Sequence, residues 1–76
     1  MRVLGIDCGT QVTGYGVIDT DGTRHRLVEA GVIKTDPDEP LPRRLLTIGD
    51  RLREIVEQFR PEEAAVEDTF HNLNAR

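Results

Sequence analysis

Apolar and polar positions divide the chain into five segments. Arg2 to Asp7 is short, β-branched and apolar, which predicts a strand buried on both faces. Gly9-Thr10-Gln11 then turns the chain. From Thr13 to Asp19, small and large residues alternate through Gly14-Tyr15-Gly16-Val17-Ile18, and Thr20-Asp21-Gly22-Thr23 follows as a hairpin signal. His25 to Thr35 supplies a third strand antiparallel to the second, with Gly31 inside it as a bulge or close-approach position. Asp36-Pro37-Asp38-Glu39-Pro40 breaks the pattern, because prolines cannot donate to a ladder and the acids favour a helix entrance. Leu41, Leu45, Ile48, Leu52, Ile55, Val56 and Phe59 then recur at three- and four-residue steps, the spacing of one apolar face on an amphipathic helix that Pro61 ends. Arg43, Arg44, Asp50, Arg51, Arg53, Glu54 and Glu57 mostly occupy its other faces and read as a solvated surface rather than a DNA-contacting stripe.

A helix that joins two apolar strands is the usual right-handed crossover, so the last strand, Glu63 to Glu67, is expected to run parallel to the first. The fold class is therefore α/β, with a mixed sheet: three antiparallel strands, a crossover helix and a fourth strand parallel to the first. If the first and last strands are neighbours, their backbones lie roughly 4.8 Å apart, and Asp7 and Glu67 emerge from the same edge. Asp68 to Arg76 carries no turn, cap or closing strand, and reads as the start of a region that continues. A fourth strand on an open edge, with one sheet face uncovered, predicts that residues 1–76 alone are unstable or associate.

Composition narrows the class. Seventy-six residues allow one small domain at most, and a hydrophobic content of 37% with no tryptophan makes a thin core. Charged residues make up 32% of the chain, and its apolar runs fall far short of the roughly 20 residues needed to cross a bilayer. No basic start with an apolar core reads as a signal peptide, so the expectation is a cytoplasmic protein with no membrane partner. The single cysteine, Cys8, excludes an internal disulfide and a cysteine-based zinc cluster, and reads as a small residue tucked into a turn. A net charge of −4 argues against nonspecific attraction to nucleic acid.

Candidate chemistry concentrates at two strand ends. Asp7 closes the first apolar strand and Glu67 closes Ala64-Ala65-Val66. Carboxylates held by rigid strands suit magnesium, a hard cation that takes oxygen ligands from one or two side chains plus phosphate and water. Two such ions roughly 3.5 to 4 Å apart would activate water and steady the leaving oxygen in phosphodiester cleavage. Two acids are too few for both ions, and from spacing alone a metal site stands level with strand-end acids that are merely solvated. Asp68 points away from Glu67 by strand alternation and reads as a solvated neighbour, and His71 as a surface-loop histidine. Gly9, Gly14 and Gly16 have two readings: they satisfy turn and strand packing, or they let a phosphate backbone come close to the metal.

The chain resembles the amino-terminal half of the RuvC family of Holliday-junction resolvases, crossover junction endodeoxyribonucleases with a ribonuclease-H-like fold. Leu4-Gly5-Ile6-Asp7-Cys8-Gly9-Thr10 resembles the family's opening strand, and Val12-Thr13-Gly14-Tyr15-Gly16-Val17-Ile18 its second. Leu41-Pro42-Arg43-Arg44-Leu45 falls where the family's first helix begins, and Ala65-Val66-Glu67-Asp68-Thr69-Phe70 with Asn74-Ala75-Arg76 is similar to its second catalytic segment. The resemblance implies that residues 1–76 form the amino-terminal part of a single ribonuclease-H-like nuclease domain, with Asp7 and Glu67 as catalytic metal ligands. Two Mg2+ ions per complete site are implied, and Phe70 matches an aromatic that stacks on or wedges beside junction bases. It further implies four-way junction DNA as substrate, paired symmetric nicks in recombination and repair, a homodimer when full length and a branch-migration helicase complex as partner. The family's later acidic cluster and basic DNA-binding residues have no counterpart in residues 1–76, so these residues alone are expected to be inactive.

Two other readings remain open at this stage. Actin-like and sugar-kinase ATPases also open with an apolar strand, Asp-x-Gly-Thr and a returning strand; Gly14-Tyr15-Gly16 and Val66-Glu67-Asp68-Thr69-Phe70 stand against that reading. A noncatalytic ribonuclease-H-like binding module is the other, and retention of both acids opposes it.

Overall fold

The structure, a computed structural model, describes residues 1–9 and 11–68. Four strands and one helix follow in the order β1 (Arg2–Cys8), β2 (Val12–Thr20), β3 (His25–Lys34), α1 (Leu41–Phe59) and β4 (Glu63–Asp68). They build one mixed sheet in the order β3-β2-β1-β4, with β1 antiparallel to β2, β2 antiparallel to β3, and β4 parallel to β1. The predicted crossover is thus present, and β4 stands on the outer edge of the described sheet. Relative to the sequence reading, the strand ends move by a residue at most.

Alternation along the strands sorts the sheet into two faces. Leu4, Tyr15, Val17 and Ile33 point toward α1 and, with Ile55 of the helix, form the buried core. Ile6, Val28, Ile48, Leu52 and Phe59 pack around them. The opposite face is uncovered among the described residues, with Val32 57% and Leu27 64% exposed. The expectation that β1 is buried on both faces is therefore corrected: only its Leu4 and Ile6 side is covered, because the single helix can shield one face.

The helix also departs from its expected apolar face. Ile48, Leu52, Ile55 and Phe59 meet the sheet, whereas Leu41, Leu45 and Val56 are exposed, together with Leu46. At about 100° per residue, the four sheet-facing residues form a narrow stripe, and Leu45 and Val56 lie on its flank. Helical spacing alone does not separate the stripe from the flank. The acids before the helix do not cap it either: Pro40 occupies the N-cap without a side-chain bond, and Asp36 Oδ1 instead accepts the Asp38 N–H at 2.9 Å in a turn of its own.

In β3 the irregularity falls at Val28 and not at Gly31. Val17 pairs with Glu29 and the next residue, Ile18, with Leu27, so Val28 is left without a partner and packs against the core. Gly31 is instead the close-approach position opposite Tyr15. The β2–β3 turn is as expected, with Gly22 at a φ of 97° that favours glycine.

At the end of the sheet far from the Asp7 rim, one arginine ties β1 to β2, to the end of α1 and to the residue that precedes β4. Arg2 donates to both carboxylate oxygens of Asp19, at 2.8 and 3.0 Å, and to the Phe59 carbonyl at 3.0 Å. Its backbone N–H donates to Glu62 Oε1 at 3.1 Å, and its carbonyl accepts the Glu62 N–H at 2.8 Å. This junction fixes where β4 begins against β1. The ladder then runs from Val3 opposite Glu63 to Asp7 opposite Glu67 without a shift.

Candidate functional site

Asp7 and Glu67 are direct partners in the parallel β1–β4 ladder. Both side chains are exposed. Because Leu4 and Ile6 occupy the helix side of β1, Asp7 and its partner Glu67 belong to the uncovered face. They border an open depression of about 400 Å³ whose floor includes Gly5, Gly14, Gly16 and Ala65. Gly14 lies opposite Asp7, while Gly5 lies opposite both Gly16 and Ala65. Four residues with little or no side chain therefore surround two carboxylates.

The sequence reading pairs Asp7 with Glu67, and the ladder brings them together. It does not single out Gly5 and Ala65 as part of the floor. The signal was present, because residues two positions from an acid in a strand share its face. Phe70 and His71 lie outside the described residues. Asp68 pairs with Cys8 in the ladder.

The three glycines separate into two kinds. A Cβ on Gly9 would collide with the carbonyl oxygen of Val12, so Gly9 serves the β1–β2 turn. A Cβ on Gly14 or Gly16 meets nothing within 4 Å among the described residues, and neither glycine has a positive φ. The turn explanation thus holds for Gly9, and among the described residues nothing calls for glycine at the other two.

The donor set fits a hard divalent cation in part. Two adjacent carboxylates repel each other, and an oxygen-ligated cation relieves that repulsion. Both acids are solvent-exposed, which leaves room for the water molecules magnesium retains. Among the described residues no group of three or more His, Cys, Asp or Glu side chains could hold a metal. Among the described residues the two carboxylates have no third such donor beside them.

The chain is similar to known proteins along nearly its whole length. The family model described as crossover junction endodeoxyribonuclease RuvC matches residues 3–76. A protein of that name from Neisseria meningitidis serogroup C is 47% identical over 74 residues, covering 97% of this chain and 42% of the relative. Its namesake from Gluconacetobacter diazotrophicus is 49% identical, covering 97% of this chain and 44% of the relative. The solved structure of Thermus thermophilus RuvC superposes with a TM-score of 0.81 at 40% identity, covering 92% of this chain and 46% of that one. T. thermophilus RuvC in complex with a Holliday junction substrate superposes at 0.79 with 42% identity, covering 87% of this chain and 42% of that one. The chain thus spans less than half the length of these relatives. With the strand order, the crossover and the match along nearly its whole length in agreement, the chain belongs to the RuvC family of crossover junction endodeoxyribonucleases.

Proposed function

We propose that residues 1–76 are the amino-terminal part of a ribonuclease-H-like nuclease domain that resolves four-way DNA junctions by paired symmetric nicks in recombination and repair. The observation that carries this reading is the register of Asp7 against Glu67, on a chain that superposes on a relative solved with a Holliday junction substrate. Asp7 and Glu67 are the metal ligands of the reading. Magnesium, when bound, would supply water activation and charge stabilisation at the leaving oxygen.

The chain's own contribution is placement and charge. Two rigid strands hold the carboxylates side by side, so neither has to be ordered when substrate arrives. Without a cation their negative charge repels a phosphate backbone, which makes binding at this rim dependent on a divalent ion. The small-residue floor keeps the approach to the carboxylates low and open. Phe70, two residues past β4, is the base-stacking residue of the reading. The reading also includes a cytoplasmic homodimer that works with a branch-migration helicase complex, and residues 1–76 alone are inactive in it, because two carboxylates do not complete a two-ion site.

The test uses a completed chain, in which residues 1–76 replace the matching segment of T. thermophilus RuvC. The expected result is nicking of a synthetic four-way junction in Mg2+, and its loss in Asp7→Asn and in Glu67→Gln with unchanged melting. Junction cleavage by Asp7→Asn at the parental rate would overturn the reading.

A further inference from the structure

Among the described residues, nothing requires position 14 to be glycine. Its φ is not positive, and a Cβ built on it meets nothing within 4 Å among the described residues. Glycine inside a strand weakens it, through greater freedom in the unfolded chain and the lack of a side chain to pack. A fold-neutral site in β2 would therefore be better served by almost any other residue.

The register shows what a side chain there would obstruct. Gly14 is the direct antiparallel partner of Asp7. Directly opposed residues carry their Cβ atoms about 4.5–5.5 Å apart on the same face. A hard cation holds each oxygen ligand about 2 Å away, so a phosphate oxygen sharing an ion with Asp7 lies within about 4 Å of that carboxylate. A side chain on residue 14 would stand in the volume through which such a phosphate arrives.

We infer that Gly14 is a positioning residue by absence: its missing side chain is the clearance through which the DNA sugar-phosphate backbone reaches the Asp7–Glu67 pair. The inference rests on the endonuclease reading and adds a steric determinant on β2 to the acids of β1 and β4. Gly16 faces Gly5 one row further from the acids and serves as a comparison.

The experiment takes the completed chain with Gly14→Ala, Gly14→Val and, as a control on the helix, Gly49→Ala, whose Cβ also meets open space. Four quantities are read: thermal melting, Mn2+ affinity by calorimetry, junction affinity in Ca2+ and junction cleavage in Mg2+. Melting and Mn2+ affinity are expected to hold for both Gly14 variants. Junction affinity and cleavage should fall with side-chain volume, with cleavage by Gly14→Val slower by about 100-fold, the usual cost of displacing a reacting group by roughly an ångström. Binding and cleavage at the parental level in Gly14→Val would overturn the inference. So would early melting or lost Mn2+ affinity in Gly14→Ala, which would mark a packing position. Absence of cleavage in the unsubstituted completed chain, with folding and Mn2+ binding intact, would refute the endonuclease reading and the inference with it. Cleavage by the unsubstituted completed chain, undiminished in Gly14→Val, would refute the inference alone.

Discussion

The ring of Tyr15 lies over the bare backbone of Gly31, its partner across β2 and β3. A Cβ added to Gly31 would fall 2.8 Å from the Tyr15 hydroxyl and 3.0 Å from two ring carbons. Tyr15 is only 9% exposed and belongs to the core with Ile55 of α1, so a Cβ on residue 31 forces the ring to shift within packed surroundings. Gly31→Ala is expected to destabilise the completed chain by about 1–3 kcal/mol, the usual cost of overpacking a well-filled core. Tyr15→Leu should offset much of this when the two are combined, and a double-mutant cycle by urea denaturation checks the coupling.

Asp19 gives the fold a defined acid sensitivity. The Arg2 guanidinium, hydrogen-bonded to it, and then Arg26 at 3.0 Å hold its carboxyl at about 2, below its ordinary value of 3.8. Because the folded-state value is depressed, the stabilisation is fully present above the ordinary value and is lost as pH falls through about 2. Melting of the completed chain should therefore drop between about pH 5 and pH 2, and Asp19→Asn should be less stable at neutral pH with a flatter profile across that window. The same steepness in Asp19→Asn and parent would show that other carboxylates control acid unfolding.

How much of this was legible in the sequence follows from the range of the interactions. β1, β2, β3, α1 and β4 are written in local periodicity, and the parallel direction of β4 relative to β1 follows from a crossover connection. The common edge of Asp7 and Glu67 was legible for that reason, while their direct pairing rested on an adjacency of β1 and β4 that the register supplies. Val28 was not readable as the bulge, because a bulge depends on the register of two strands, and Gly31 offered a louder local signal for another purpose. Nor was the Arg2–Asp19 clasp readable, since the two residues become neighbours only once the β1–β2 register is set. The exposure of Leu45 and Val56 escaped for a third reason: helical spacing records which residues are apolar, not how wide a surface is there to receive them.

Arg60 ends the helix in a conformation better suited to glycine. Its φ of 53° and ψ of 55° are left-handed, and its N–H closes the last turn onto the Val56 carbonyl at 2.8 Å. Arg60→Gly should keep that bond and relieve the Cβ strain, with a net gain of about 0.5–1 kcal/mol after the added freedom of the unfolded chain. Arg60→Val should lose stability, since a β-branched residue resists positive φ. Denaturant midpoints of the two variants, compared at equal slope, decide the order.

In the proposed function Asp7 and Glu67 hold a divalent cation together. The most direct test is anomalous diffraction at the manganese edge from crystals of the completed chain soaked in Mn2+. A peak is expected within coordination distance of both carboxylates, lost in Asp7→Asn crystals. A peak bound elsewhere, with Asp7 and Glu67 left in water, would contradict it.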